Sequence, residues 1–183
     1  MKILVTGSTG FIGKKVIKNL LKSDHEVIAT AKEPGMKALA RKVKYLPYKL
    51  GEDVGNLFEY FNKPDALIHL AWDKLDDYND LVHLENLEKH YFFIKNIIQN
   101  GLRNMTVIGT CLEYGLQNGC LKEEMITKPI NPYGLAKDTL RKFIEELNKK
   151  YRFTFKWIRL FYLYGEGQSK KTILFQLDQA LIN

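Results

Sequence analysis

The sequence is poor in residues that staple or ligate. It has two cysteines, Cys111 and Cys120, with no C-x-x-C pair and no Cys/His cluster. That excludes a disulfide-rich scaffold and offers no metal site. The four histidines, at 25, 69, 83 and 90, also lack metal-ligand spacing. No apolar run approaches the roughly 18 residues that a membrane span requires. The opening run Met1–Val5 breaks at Thr6-Gly7, too short a stretch for a signal peptide. Internal repeats, low-complexity tracts and linkers are missing. The expected setting is reducing and cytoplasmic, away from membranes.

What is present suits one soluble domain. The chain has 183 residues, 45% hydrophobic and 27% charged, enough to bury roughly 70% of its unfolded surface. Its net charge of +7 is uneven. Residues 1–50 carry 11 Lys/Arg against 3 Asp/Glu, and residues 51–183 carry 17 against 18. A diffuse basic surface would serve nucleic acid, but a local one calls for a local anion. No groove-reading motif or aromatic platform accompanies the charge, so nucleic acid is not an expected partner.

Short β-branched runs alternate with helical spacing. Strands are predicted at Lys2–Thr6, Glu26–Thr30, within Val43–Leu50, and at Ala66–Leu70, Met105–Gly109 and Phe153–Leu160. Helices are predicted from Phe11, over about 79–100, and over 133–150, the last with Leu135, Leu140, Phe143, Ile144 and Leu147 on one side. This order predicts an α/β fold, a doubly wound parallel sheet of Rossmann type in three αβα layers.

Two segments carry chemistry. The first is Thr6-Gly7-Ser8-Thr9-Gly10-Phe11-Ile12-Gly13, spaced G-x-x-G-x-x-G. A glycine turn between a buried strand and a helix lets backbone approach a pyrophosphate and aims helix N–H groups at it. Such turns also join strands to helices for structural reasons alone; here the strand before and the helix after favour a dinucleotide. The second is Tyr133-Gly134-Leu135-Ala136-Lys137, whose Tyr and Lys share a helical face one turn apart. A neighbouring ammonium stabilises a phenolate and lowers its pKa, as proton exchange with a hydroxyl or carbonyl requires. In isolation such pairs are common surface neighbours.

With Asp65–Ala71, Asn131–Lys137 and Arg159–Gly165 added, the chain resembles the extended short-chain dehydrogenase/reductases. Within them it is most similar to the NAD(P)-dependent epimerase/dehydratase family, which works on nucleotide-linked sugars. The resemblance implies a catalytic set of Thr110, Tyr133 and Lys137. Tyr133 would exchange the proton of a sugar hydroxyl, Lys137 would hold the nicotinamide ribose, and Thr110 would hydrogen-bond the reacting oxygen. It implies dinucleotide contacts from Gly7, Thr9, Gly10, Phe11, Ile12, Gly13, Lys32, Leu50, Leu70, Ala71, Trp72, Tyr133, Lys137 and Leu160. Trp72 is equally well read as plain packing. It also implies a nucleotide-sugar substrate and a homodimer through the helices at about 79–100 and 133–150.

Departures from the family pattern narrow this. An acidic residue after the second strand would take the ribose hydroxyls of NAD, but this chain has Ala31-Lys32. That favours NADP over NAD, with Lys32 as a solvated loop charge nearly as good a reading. Lys49 stands where the family often has Asp for the adenine. Cys111-Leu112 replace the acidic pair of the dehydratases, leaving epimerisation or keto reduction, and Tyr162 replaces a frequent Asn. Cys111 and Cys120 read as packing residues, and His69 as a satisfied core residue. Asp73, Asp76, Asp77 and Asp80 read as a solvated loop and helix start.

Residues 1–165 are thus expected to form the NAD(P)-binding domain, and 166–183 the start of a substrate lobe. The amphipathic segment Ile173–Ile182 would pack on something this chain lacks. A second polypeptide supplying the lobe is one expectation. A cofactor-binding protein without turnover, regulatory or for assembly, is the alternative.

Overall fold

The computed structural model describes residues 1–32, 43–168 and 170–182. Six strands form one all-parallel sheet: β1 (Lys2–Thr6), β2 (Glu26–Thr30), β3 (Val43–Tyr45), β4 (Ala66–His69), β5 (Asn104–Thr110) and β6 (Thr154–Leu160). Their order is β3-β2-β1-β4-β5-β6. The chain reverses direction across the sheet between β1 and β4, and a crevice opens where the connections diverge at a sheet's carboxyl edge. The glycine motif follows β1 at that edge.

Burial on both faces explains the apolar runs. Side chains alternate along β1, so Leu4 packs with Ile28, Leu67 and Phe93 in one core, and Ile3 and Val5 pack with Val27 and Ile17 in the other. Helix α1 (Phe11–Leu20) contributes Ile17 to the smaller core. Helices α3 (Val82–Gln99) and α4 (Pro132–Tyr151) pack together over the larger one. On α3 the buried residues are His83, Asn86, His90, Phe93, Ile94, Ile97 and Ile98, a stripe with helical period. Truncating a fully buried phenylalanine such as Phe93 costs about 3–5 kcal/mol.

The predicted face of α4 needs correcting. Leu135 and Phe143 are 45% and 43% exposed. The buried stripe is Tyr133, Ala136, Lys137, Leu140, Ile144 and Leu147. Successive steps of three and four residues track the 3.6-residue turn, and Leu135 and Phe143 fall off that line. The two chemistry-bearing residues therefore lie on the core-facing stripe. Pro132 starts the helix, and the Asn131 side chain caps it by accepting from Gly134 N at 2.8 Å.

A short helix α2 (Leu57–Tyr60), capped by Asn56, was not expected from the periodicity. Asp80 accepts from Val82 N at 2.9 Å at the start of α3, as an acidic helix start should. The chain ends in α5 (Ile173–Ile182). No described helix is long and apolar enough to cross a membrane.

Candidate active site

The glycine loop is held by close backbone packing. Gly7 has φ +65°, and a Cβ there would meet Ala71 N at 2.7 Å. A Cβ on Gly13 would meet Gly7 O at 2.3 Å. Only glycine lets the loop fold against the end of β4 and the first turn of α1. That first turn has neither a capping side chain nor an acidic residue, so its N–H groups are a ready anion site. The buried hydroxyls of Ser8 and Thr30 also lack partners.

Above the loop lies a cleft of about 750 Å³. Gly7, Thr9, Gly10, Phe11, Ile12 and Gly13 line it, with Lys32 and Leu50 to one side and Leu70, Ala71 and Trp72 to the other. Leu160, at the end of β6, is outside this lining. The sequence reading missed Tyr48, Lys74, Asn86, Lys89 and His90, and gave Lys49 no place in it. Among the described residues, four lysines (32, 49, 74 and 89) border the cleft against one carboxylate, Asp73. Of the described basic residues in the first fifty, only Lys32 and Lys49 reach it. Among the described residues, the cations at the cleft come from loops after three strands and from α3. The unfilled N–H groups, the orphan Thr30 hydroxyl and the cations together fit a dinucleotide.

Tyr133 and Lys137 stand beside the cleft behind Trp72. The side chain of Thr110, which ends β5, lies near the Tyr133 hydroxyl. Burial pushes Tyr133 well above the ordinary tyrosine pKa, the nearby Tyr78 adds to this, and the Thr110 side chain partly offsets it. Lys137 Nζ donates to Ile108 O at 2.7 Å and lies 3.9 Å from the Trp72 ring centre. Burial lowers its pKa from 10.5 to about 7, with Glu113 opposing. The structure thus differs from the simple expectation of an ammonium depressing the tyrosine: desolvation dominates both groups.

Aromatic rings from the segment after β4 cover Tyr133. Tyr78 stacks on it at 5.1 Å, His83 lies 5.1 Å away, and Trp72 meets it edge-on at 5.8 Å. The Trp72 indole N–H donates to His83 Nδ1 at 3.0 Å, so His83 carries its proton on Nε2 and donates to Asp77 O at 2.8 Å. Trp72 is therefore a fixed partition, with the cleft against it and the Tyr–Lys pair in contact with it.

Glu113, the one acidic residue near Thr110 in sequence, is fully buried and already engaged. It accepts from Thr110 N (2.8 Å), Trp157 Nε1 (2.9 Å) and Arg159 Nε (2.8 Å). With the Thr110 side chain it closes a capping box that fixes the turn after β5. Arg159 also reaches the Tyr114 hydroxyl and Glu123 O. Cys111 is half-buried and Cys120 exposed, both as free thiols. Among the described residues, no group of three or more His, Cys, Asp or Glu is placed to hold a metal ion.

Comparison with known proteins agrees with this fold. The chain is 29% identical over 185 residues to dTDP-6-deoxy-L-talose 4-dehydrogenase (NAD(+)) of Aggregatibacter actinomycetemcomitans, covering 98% of this chain and 68% of that protein. It is 31% identical over 199 residues to GDP-6-deoxy-D-talose 4-dehydrogenase of the same organism, covering all of this chain and 60% of that protein. Among solved structures, MoeE5 in complex with UDP-glucose and NAD superposes with a TM-score of 0.83 at 22% identity, covering 98% of this chain and 60% of MoeE5. UDP-glucuronic acid 4-epimerase from Bacillus cereus, in complex with UDP-glucuronic acid and NAD, gives 0.82 at 20% identity, covering 100% and 63%. The chain thus spans between 60 and 68% of the length of these proteins. The family model for the NAD dependent epimerase/dehydratase family matches residues 3–180, and the chain belongs to that family.

Proposed function

We propose that the chain is the cofactor-binding and proton-transfer part of an NAD(P)-dependent keto-reductase or epimerase acting on a nucleotide-linked sugar. The observation that carries this is the juxtaposition of the Thr110–Tyr133 hydroxyl pair and Lys137 with the glycine-floored cleft. When bound, the nicotinamide supplies the hydride chemistry. Tyr133 gives or takes the proton of the reacting oxygen, and Thr110 orients that oxygen. Lys137, its pKa lowered by burial, holds a ribose hydroxyl and tunes the charge beside Tyr133. Dehydration is disfavoured, because every strong acceptor position of Glu113 is engaged and Cys111-Leu112 supply no acid.

Lys32 and Lys49 at the cleft, with Ala31 in place of a carboxylate, support NADP over NAD; the first relative named above uses NAD(+). Residues 1–165 form the dinucleotide domain, and 166–183 begin a substrate lobe. A homodimer through α3 and α4 accounts for the exposed Leu84, Phe92, Leu135 and Phe143 on those helices.

The test is reduction of a nucleotide-linked 4-ketohexose by NADPH or NADH, followed by loss of reduced-nicotinamide absorbance. Tyr133→Phe should lower the rate by about 10²-fold or more while leaving dinucleotide binding intact. Equal rates in wild type and variant would overturn the role of Tyr133. Dinucleotide binding with no turnover in any nucleotide sugar would favour the alternative, a cofactor-binding protein without catalysis.

A further inference from the structure

A chain of buried hydrogen bonds runs from the glycine-loop strand to the cleft wall, and its direction can be deduced. Thr6 Oγ1 accepts from Leu70 N at 3.1 Å and from Ala71 N at 3.2 Å. A hydroxyl oxygen has two acceptor positions, so both are spent and the Thr6 hydrogen points to its third neighbour, His69 Nδ1, at 2.9 Å. His69 is fully buried. With its Nδ1 accepting, the neutral ring carries its proton on Nε2 and donates to His90 Nδ1 at 2.9 Å. His90 in turn carries its own proton on Nε2. That N–H has no protein partner among the bonds of the described residues, although the ring is only 2% exposed. The ring borders the cleft and stacks on Trp72 at 4.2 Å and 15°.

We infer that His90 is a cofactor-binding residue, a fixed neutral donor whose Nε2–H bonds an acceptor oxygen, phosphate or ribose, of the bound dinucleotide. This rests on the cleft being a dinucleotide site. Two features hold the donor ready. The Trp72 stack fixes the ring plane, and the inward chain fixes the tautomer, so neither must be ordered when the ligand arrives. Burial, His69, Lys137 and Lys89 all disfavour a second proton on His90, and His69 is held at a pKa of about 3. The residue therefore binds through directionality rather than through charge, in a cleft where lysines already supply charge.

The experiment separates the outward donor from the inward acceptor. His90→Asn keeps an oxygen at the Nδ1 position for His69 but withdraws the cleft-facing N–H. His90→Gln keeps an N–H near the Nε2 position. Calorimetric titration of the full chain with NADPH and NADH should show His90→Asn binding about three- to tenfold more weakly, the range of one neutral hydrogen bond. His90→Gln should stay within about threefold of wild type by the same scale. In the wild type, the His90 side-chain ¹⁵N resonances should report an Nε2–H tautomer and move when either dinucleotide is added. Equal affinities of His90→Asn and wild type, or His90 resonances unmoved by a bound dinucleotide, would overturn the inference and leave the cofactor site standing. A variant order reversed, with Gln the weaker binder, would assign His90 to packing and overturn it as well. A wild-type chain that binds neither dinucleotide would overturn both the site and the inference.

Discussion

The carboxyl edge around β1 and β4 differs sharply from the far end, where the chain leaves β6. At β1 and β4, nearly every buried polar group has a partner. Thr6, His69 and His90 bond in series, Trp72 and His83 in another series, and Glu113 saturates its oxygens on three donors. The exceptions at this edge are the Ser8 and Thr30 hydroxyls beside the glycine loop and the Nε2–H of His90, whose Nδ1 alone is bonded among the described residues. At the far end the chemistry is inverted. Phe161, Tyr162, Leu163 and Tyr164 are exposed, as are Leu174 and Leu177 on α5, with Tyr162 at 81% and Ile173 at 82%. The first region is complete but for a ligand of matching polarity; the second is apolar and uncovered. Large exposed apolar patches of this sort mark contact surfaces, in keeping with the proposal that a substrate lobe begins at residue 166.

The largest expected break of this contrast is at Gly13. A Gly13→Val side chain has no room beside Gly7 O, so the loop must move. Dinucleotide binding should disappear in a titration, and thermal melts should show a loss of about 2–4 kcal/mol. A variant that binds as tightly as wild type would show that the loop is not the phosphate site.

Next in size is pH. His69 keeps its pKa near 3 in the folded state against 6.5 ordinarily. Between those values the unfolded chain binds more protons, so stability should fall as pH drops from about 6.5 toward 3. Lys137 falls from 10.5 to about 7. By the same sign, stability should rise as pH climbs from about 7 toward 10. Above 10 the raised Tyr133 works the other way, since the unfolded tyrosine ionises first. Urea melts across pH should show both limbs, and Lys137→Met should flatten the upper one alone. An upper limb that persists in Lys137→Met would assign it to other groups.

The smallest effect is expected at the far end. Tyr162→Ser and Ile173→Ser should change stability by no more than about 0.5 kcal/mol, as surface substitutions do. They should nonetheless reduce self-association in sedimentation if this face seeks a partner. A large loss of stability would show that these side chains are already packed.

Legibility in the sequence followed the same division. The strand and helix order, the glycine loop and the Tyr133–Lys137 stripe were all readable, because each is a local pattern set by one element's period. The side assigned to α4 was partly wrong. Apolar character was counted for Leu135 and Phe143, whereas the buried line runs through Tyr133 and Lys137, a polar pair that periodicity alone places in the core. The part of the wall that α3 supplies was not read. His83, Asn86 and His90 recur at three- and four-residue steps on α3, a signal for polar groups on a buried face that a search for metal spacing passed over. The partners of His83 and His90 are Trp72, in the loop after β4, and His69, at the end of β4, and His69 in turn bonds Thr6 of β1. Only the fold brings those together.

The account turns on the carboxyl edge being a self-sufficient dinucleotide site, and calorimetric titration of the purified chain with NADPH and NADH tests that directly. Saturable one-to-one binding, tighter for NADPH and abolished in Gly13→Val, is the predicted result. No heat with either dinucleotide from a folded chain, or binding unchanged in Gly13→Val, would contradict it.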